Sequence, residues 1–530
     1  MLRVNNIRVP LDFDFSQLEN LCLKKLKISA GNLISVRLAK KSVDARKKSD
    51  VHFIVSLDIE VKNEEKVLNT VKNCVRTEKF VYNPEKISGN FRRPVVVGFG
   101  SAGMFSALIL AMSGACPIIL ERGSDVDTRR EAVENFRTSG ILNPECNVQF
   151  GEGGAGTFSD GKLTTGIKDR RTDWILEKFV EFGAPEEILY LAKAHIGTDN
   201  LLTVVKNIRT EILRLGGEII FNSKFCDFRT KNDRISEITY SDGENLHTIR
   251  TDNVILASGH SARDVFELLN KKNVSLSAKN FSVGVRIEHP RIDIDRDMYG
   301  IFAGHKALKP ADYKLAVHLP NGRTLYTFCM CPGGEVIASS SEKKHLVVNG
   351  MSRFARDAEN SNSALLVGIS PEDFGSNDVL AGIDFQRKIE EKAFIAGGGN
   401  YSAPIMLVGD FLEGQLSGNL GKVVPSYRPA VKFARPEEYL PDFVCESLRM
   451  GIIEMGKKIK SFNNPDAVLT GVETRSSSPV RINRDEKFQS LSLKGLFPCG
   501  EGAGYAGGIM SAGVDGMRCA ESVIDNLKGE

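Results

Sequence analysis

The chain has 530 residues, 42% hydrophobic and 26% charged, a composition that excludes a disordered or fibrous protein and a length that calls for roughly two to four domains. A formal charge of only +3 gives no case for a strongly polyanionic partner. Arg3 and Arg8 interrupt the first apolar residues, so no secretory leader is expected, and ten scattered cysteines without CxxC suit free thiols in a reducing cytoplasm, the location expected.

Residues 1–90 read as a small α/β unit. From Val51 to Val61, every second residue is apolar, which is the pattern of a half-buried strand. Phe15, Leu18, Leu21 and Cys22 share one helical face, as do Val67, Leu68 and Val71, and together these elements suggest a βαββαβ order. The basic run from Lys40 to Lys48 falls between two strands and is expected in a loop or hairpin. A solvated loop is its ordinary reading, with nucleic acid as the lesser alternative.

Pro94 to Gly123 is the stretch on which the rest depends. A β-branched strand (Val95 to Val97) is followed by Gly98-Phe99-Gly100-Ser101-Ala102-Gly103, then a helix to about Ser113, a second strand from Pro117 to Leu120, and Glu121. A GxGxxG after a strand, opening a helix and followed by an acid at this spacing, is a dinucleotide fingerprint. Gly98 permits the turn, Gly100 lets backbone approach a pyrophosphate, and Gly103 allows the helix to lie close on the strand. The helix start at Ser101 and Ala102 offers N–H groups to the anion, and Glu121 is placed to accept from a ribose hydroxyl. The segment Pro94 to Leu120 carries no charge and is long enough for a bilayer, but three turn glycines and Pro117 break it into short pieces.

Arg122 and Arg129 lie just beyond this acid. Asn147 to Gly166 then concentrates Gly151, Gly153, Gly154 and Gly156 with Thr157, Ser159, Asp160, Gly161 and Lys162, a loop whose backbone and polar groups can touch a flat ligand. Helical patterns run to about Leu215. EIIF, KFCDFRT, RISEITY and LHTIR, separated by turn signals, predict a β-meander. Val254 to Leu256 is a buried strand ending in Ala257-Ser258-Gly259, a small-residue turn of the kind that borders a ligand at strand carboxyl ends.

From Phe281 onward the pattern changes to strands such as FSVGVRIEH, KLAVHL and TLYTFCMC, which predicts a second domain of mixed sheet and helices. The tail returns to the earlier style, with a strand at Leu496 to Cys499, Gly500-Glu501 at its end, Gly507-Gly508, and a helix beginning at Ile509. The divisions are therefore 1–90 as a small α/β domain, 91–275 as the first part of a dinucleotide-binding domain, 276–465 as a substrate or cap domain, and 466–530 as the return. Ten dispersed cysteines without CxxC and eight dispersed histidines without HxH or HExxH predict free thiols and no metal site.

Together these blocks resemble the flavoproteins with the glutathione-reductase-like FAD fold. FGEGGAGTFSDGKL, FSVGVRIEHP, FCMCPGG, NGMS, ETRSSSPVRI and PCGEGAGYAGGI are closer still to a bacterial family of FAD-dependent proteins grouped with NAD(FAD)-utilising dehydrogenases. The resemblance implies an α/β Rossmann-like FAD/NAD(P)-binding domain with a meander, an inserted α+β domain, and non-covalent FAD. By position, Gly98, Gly100, Gly103, Glu121 and Arg122 would serve the adenosine side, and Ala257, Ser258 and Gly259 the middle turn. Glu501, in place of the aspartate usual in the wider fold, would take ribityl hydroxyls, with Gly507, Gly508 and Ile509 near flavin N1 and C2=O. NAD(P)H would act as a transient donor, since the chain holds one complete fingerprint.

The expected activity is that of an FAD-dependent oxidoreductase on a small molecule. A tRNA-modifying flavoprotein and a non-redox binding protein on the same fold are the alternatives. Arg286, His289 and Arg475 are the candidate catalytic residues, from the second domain. Cys329 and Cys331 alternate along a strand, so both are expected on one side in a buried structural role rather than as a redox centre.

Overall fold

Residues 1–528 are described by a computed structural model of the chain. The first unit is an antiparallel sheet of β1 (Leu2–Val9), β2 (Leu33–Asp44), β3 (His52–Val61) and β4 (Cys74–Arg76) in the order β2-β3-β1-β4. With α1 (Leu18–Lys25) and α2 (Glu64–Thr70) as connections, its chain order is the expected βαββαβ. The alternation in β3 puts Phe53, Val55, Leu57, Ile59 and Val61 into one core. The basic run is not all loop, because β2 continues to Asp44 and pairs Lys40 and Lys41 with β3. Lys41 has its ammonium 4.2 Å from the ring centroids of both Phe15 and Phe53. Its backbone bridges to the next unit: the Lys41 N–H donates to the Tyr190 carbonyl at 2.6 Å, and the Ala192 N–H donates to the Lys41 carbonyl at 2.9 Å.

The second unit is built on a five-stranded parallel sheet of β5 (Val95–Val97), β6 (Ile118–Leu120), β7 (Glu218–Ile220), β11 (Val254–Leu256) and the late strand Leu496–Pro498. The late strand lies at one edge, followed by β11, β5, β6 and β7. Helices cover a parallel sheet on both faces, so its strands read as short all-apolar runs. The helix α3 (Ser101–Ser113) joins β5 to β6 and is apolar around nearly its whole circumference. It lies against the sheet on one side and the last helix, Ile509–Lys528, on another; a Cβ on Gly516 of that helix would overlap the Ala102 carbonyl. The meander consists of β8 (Lys224–Lys231), β9 (Arg234–Ser241) and β10 (Leu246–Arg250). The sequence reading placed EIIF in it, but β7 pairs with β6 in parallel, reached by a crossover through the helix Thr198–Arg214.

The third unit is a cap with a seven-stranded sheet in the order Ala316–His318, Thr324–Cys331, Asn360–Ile369, Phe281–Pro290, Val468–Glu473, Ala403–Leu407 and Val431–Phe433. Phe281–Pro290 is central and buried along nearly its whole length, its charged and polar members Arg286, Glu288 and His289 included. Val468–Glu473 pairs within this sheet, so the cap extends beyond the expected boundary at 465. Where the chain enters and leaves the cap, Leu276–Ala278 and Val480–Ile482 pair with each other. No helix among the described residues is long and apolar enough to cross a membrane.

Candidate functional site

The carboxyl ends of β5, β6 and β11 converge on a cavity of about 850 Å³ that the cap closes from the opposite side. Gly98 turns at φ +95°, and a Cβ there would overlap the Ala257 carbonyl. A Cβ on Gly103 would overlap the Gly98 carbonyl, so this glycine sets how closely α3 approaches its strand. Gly100 is different: a Cβ would meet nothing nearer than Gly154 Cα at 3.6 Å, which leaves space on its open side. It is also the N-cap of α3 and supplies no side-chain acceptor to the helix's first N–H groups. Gly98, Gly100, Ser101 and Ala102 all line the cavity, with the uncapped helix end there.

Glu121 follows β6 and lines the cavity while tying three loops together. Its carboxylate accepts from the N–H groups of Phe99 at 2.8 Å, Gly123 at 3.0 Å and Gly151 at 2.9 Å. Arg122 lies over the Phe150 ring at 4.2 Å and donates to Glu145 and Asp264. Arg129 stands outside the cavity, contrary to its reading as a cofactor contact. Its buried guanidinium donates to the carbonyls of Asn147, Val148, Gly151 and Glu152, so four of its five N–H groups are spent on shaping the glycine-rich loop. Thr157 is likewise turned inward, with its hydroxyl 3.5 Å from the Glu152 carbonyl.

Ala257, Ser258 and Gly259 follow β11 along the cavity wall, as do Glu501, Gly507, Gly508 and Ile509 from the tail. A Cβ on Gly507 or Gly508 would have nothing within 4 Å. Gly500 sits just behind the wall and donates its N–H to Asp515 Oδ2 at 2.7 Å. Asp515 lies with Cys499 and Cys519 in a buried group of metal-ligand type, but its carboxylate is already held by Arg484 at 2.6 and 2.9 Å. His260 was not singled out in the sequence. Its Nδ1 is 3.3 Å from Glu501 Oε1, while Nε2 is buried without a partner.

The wall on the cap side carries the ionisable groups. Asp160 accepts from Arg356 at 3.0 and 2.6 Å and from the Ser352 hydroxyl. Burial pushes its carboxyl up, but Lys162 and Arg356 outweigh this and hold it well below the usual range. Lys162 Nζ is 2.7 Å from Asp160 Oδ2, yet the contact lacks hydrogen-bond direction and the buried ammonium has no hydrogen-bond partner. Gly161 lines the cavity between them. Arg475 reaches the cavity but is anchored by Glu390 at 3.1 and 2.8 Å and by the Ser341 hydroxyl. Arg286 lies behind the wall, donating to Asn362, Asn349, Glu473 and the Cys329 carbonyl. His289 is remote from the cavity: its Nε2 is 2.8 Å from the Phe462 carbonyl in the cap core.

Glu473 escaped the sequence reading, and Cys329, expected in a buried structural role, stands elsewhere. Glu473 lines the cavity, and burial raises its carboxyl to about 7 against the opposing charge of Arg286. Cys329 also lines it, because the register between Thr324–Cys331 and Asn360–Ile369 slips after Phe328 and Cys329 takes φ +40°. A bulge of this kind re-aims a side chain and defeats simple alternation.

The residues fit a dinucleotide. Open glycine backbone at two helix starts lines one cavity of a size suited to a cofactor, and two residues of the same wall, Lys162 and His260, carry buried polar atoms, Nζ and Nε2, without a hydrogen-bond partner. Fold and site thus define the FAD-binding flavoprotein class. The family model described as FAD-dependent protein, C-terminal domain-like, matches residues 280–476, and a domain of unknown function matches residues 1–60. An uncharacterized protein of Clostridium beijerinckii is 49% identical over 537 aligned residues, 99% of each chain. The chain belongs to this family of FAD-dependent proteins.

Among solved structures, a flavoprotein/dehydrogenase from Cytophaga hutchinsonii is 12% identical, covering 83% of this chain and 80% of its own, with a TM-score of 0.39. A glycerol-3-phosphate dehydrogenase from Bacillus halodurans complexed with FAD is 11% identical, covering 83% and 65%, with a TM-score of 0.36.

Proposed function

We propose that the protein is an FAD-dependent oxidoreductase acting on a small molecule held between the cofactor and the cap. The observation that carries this reading is the single cavity shared by the fingerprint turn, the Ala257–Gly259 turn, the tail glycines and the charged cap wall. Bound FAD would supply the electron transfer, and the protein would position it, tune it and keep water out. Gly98, Gly100, Ser101 and Ala102 would hold the pyrophosphate, with Glu121 toward the ribose and Glu501 toward the ribityl chain. The Gly507–Ile509 helix start would favour negative charge beside it. On the cap side Lys162 places its ammonium beside Asp160, and Glu473 holds a proton near neutral pH.

NAD(P)H would serve as a transient donor in this same cavity. The second glycine cluster, Gly397–Gly399, ends the helix Ala381–Ala396 rather than following a strand, so it does not repeat the fingerprint. The purified protein is expected to be yellow and to release FAD on heating or in acid. Glu501→Ala should weaken FAD by about tenfold or more, the loss of a charged acceptor costing roughly 1.5–3 kcal/mol, with Glu501→Asp closer to the parent. A colourless protein that takes up no FAD in an equilibrium titration would overturn the assignment.

A further inference from the structure

The bulge that brings Cys329 to the cavity also sets the Cys331 sulfur against the Cys329 backbone. Cys331 is fully buried, with its Sγ 3.3 Å from the Cys329 carbonyl and 4.0 Å from Arg286 Nη2, and both thiols are free. Arg286 in turn donates to the Cys329 carbonyl at 2.6 Å and to Glu473 at 2.7 Å, so one guanidinium organises both cysteines and the carboxyl. We propose that Cys329 and Cys331 are a redox-active dithiol in the cavity wall, Cys329 the attacking thiolate and Cys331 the resolving thiol.

The two sulfurs have unequal surroundings. The hydrogen bond from Cys331 lowers the Cys329 thiol well below its usual range; burial opposes this, and the cations of Lys162 and Arg286 reinforce it against the repulsion of Asp160. Cys331 is pushed the other way, by that same hydrogen bond and by burial. Glu473 is the further titrating neighbour, itself raised in part by Cys329. A thiolate exposed to a cavity next to a protonated, buried partner is the arrangement in which one sulfur attacks and the other closes.

Closure forms one S–S bond, breaks the Cys331 S–H bond, and releases one proton and two electrons. The proton passes to Glu473 where that carboxyl is ionised, and otherwise to solvent; Glu473 shares Arg286 with the pair. The electrons require a two-electron acceptor: the oxidised flavin of the proposed function in the native protein, or diamide when the pair is tested alone. Only this electron exchange rests on the FAD reading; the assignment of the dithiol does not.

The test is made on the full-length protein as purified. Brief iodoacetamide treatment at neutral pH with peptide mapping should label Cys329 about tenfold or more faster than the half-buried Cys74, Cys116 and Cys226, reflecting its larger thiolate fraction. Lys162→Met should slow that labelling and move its pH midpoint upward. Diamide should yield a Cys329–Cys331 disulfide peptide in the parent and none in Cys331→Ser. In anaerobic dithionite titration the oxidised parent should take up two electrons more than Cys329→Ser before the flavin band is fully bleached. Labelling of Cys329 no faster than of the other cysteines, or failure of the pair to close with diamide, overturns the dithiol. Closure with equal electron uptake in parent and variant overturns its exchange with flavin. Closure in a protein that binds no FAD supports the dithiol and refutes the FAD reading alone.

Discussion

Glu473 ends a buried strand facing the cavity, and its carboxyl is raised to about 7, first by burial and against the pull of Arg286. Below the ordinary glutamate value both folded and unfolded chains hold this proton. As pH rises toward 7 the unfolded chain loses it first, so the residue costs the fold progressively more stability across that window and a constant amount above it. At about 1.4 kcal/mol per unit, the cost reaches roughly 3 kcal/mol. Glu473→Gln removes the titration. The unfolding free energy of the parent relative to this variant should therefore fall by about 2–3 kcal/mol between about pH 5 and about pH 7.5, as measured by urea denaturation. A pH-independent difference would assign the neutral-pH proton elsewhere.

Residues of this kind were the least legible in the sequence. Glu473 stood inside ETRSSSPVRI with no local sign that a central strand would bury it. Arg129 and His289 were read as site residues by their position in the chain, but their partners are carbonyls of Asn147, Val148, Gly151, Glu152 and Phe462, which only tertiary packing brings near. Cys329 was misplaced because alternation presumes a regular ladder, and the extra residue is defined only by the facing strand.

The strand, turn and helix around Gly98 were legible almost residue for residue, because their chemistry is local: β-branched residues, a turn needing φ > 0, an uncapped helix start and an acid. The two later glycines of this element separate function from packing. Gly100→Ala adds a Cβ to open space at φ −77°, so the protein should fold with a melting temperature near that of the parent apoprotein yet bind FAD at least about tenfold more weakly. Gly103→Ala drives a Cβ into the Gly98 carbonyl and should destabilise the apoprotein itself by about 1–3 kcal/mol or more. Calorimetry of the two apoproteins checks the contrast; equal destabilisation would mean that Gly100 also packs. By the same logic β7 was misassigned, since a strand's own residues do not say whether its partner is the next hairpin or a strand reached by crossover.

At the scale of the whole molecule, the FAD unit and cap are joined by a buried charge network. Arg263, on the helix Arg263–Lys271, donates to Glu390 at 2.9 and 2.7 Å, and Arg475 donates to the same carboxylate from the cap's exit segment. Burial opposes ionisation of Glu390, but the two guanidinium groups outweigh it and hold the carboxyl far below the usual range. Glu390→Gln leaves both cations buried with one charge fewer between them and should cost about 3–5 kcal/mol. Limited proteolysis should then cut the entry and exit segments near Ser277 and Arg481 sooner than in the parent. An unchanged melting temperature and cleavage rate would show that this network does not hold the units together.

The Lys41 bridge carries a consequence for the first unit. Its hydrogen-bonding partners flank Leu191, and Ala192, Lys193 and Ala194 form part of the cavity wall. The first sheet thus clasps the rim of the cavity by the same backbone pairing that extends a sheet edge, with Lys41 pinned between Phe15 and Phe53 at its root. Whatever settles in the cavity and firms this rim also favours the clasp, and by thermodynamic reciprocity the clasp favours the occupant to the same degree. A unit of residues 1–76 that contributes no side chain to the cavity wall is thereby made a keeper of its tenant.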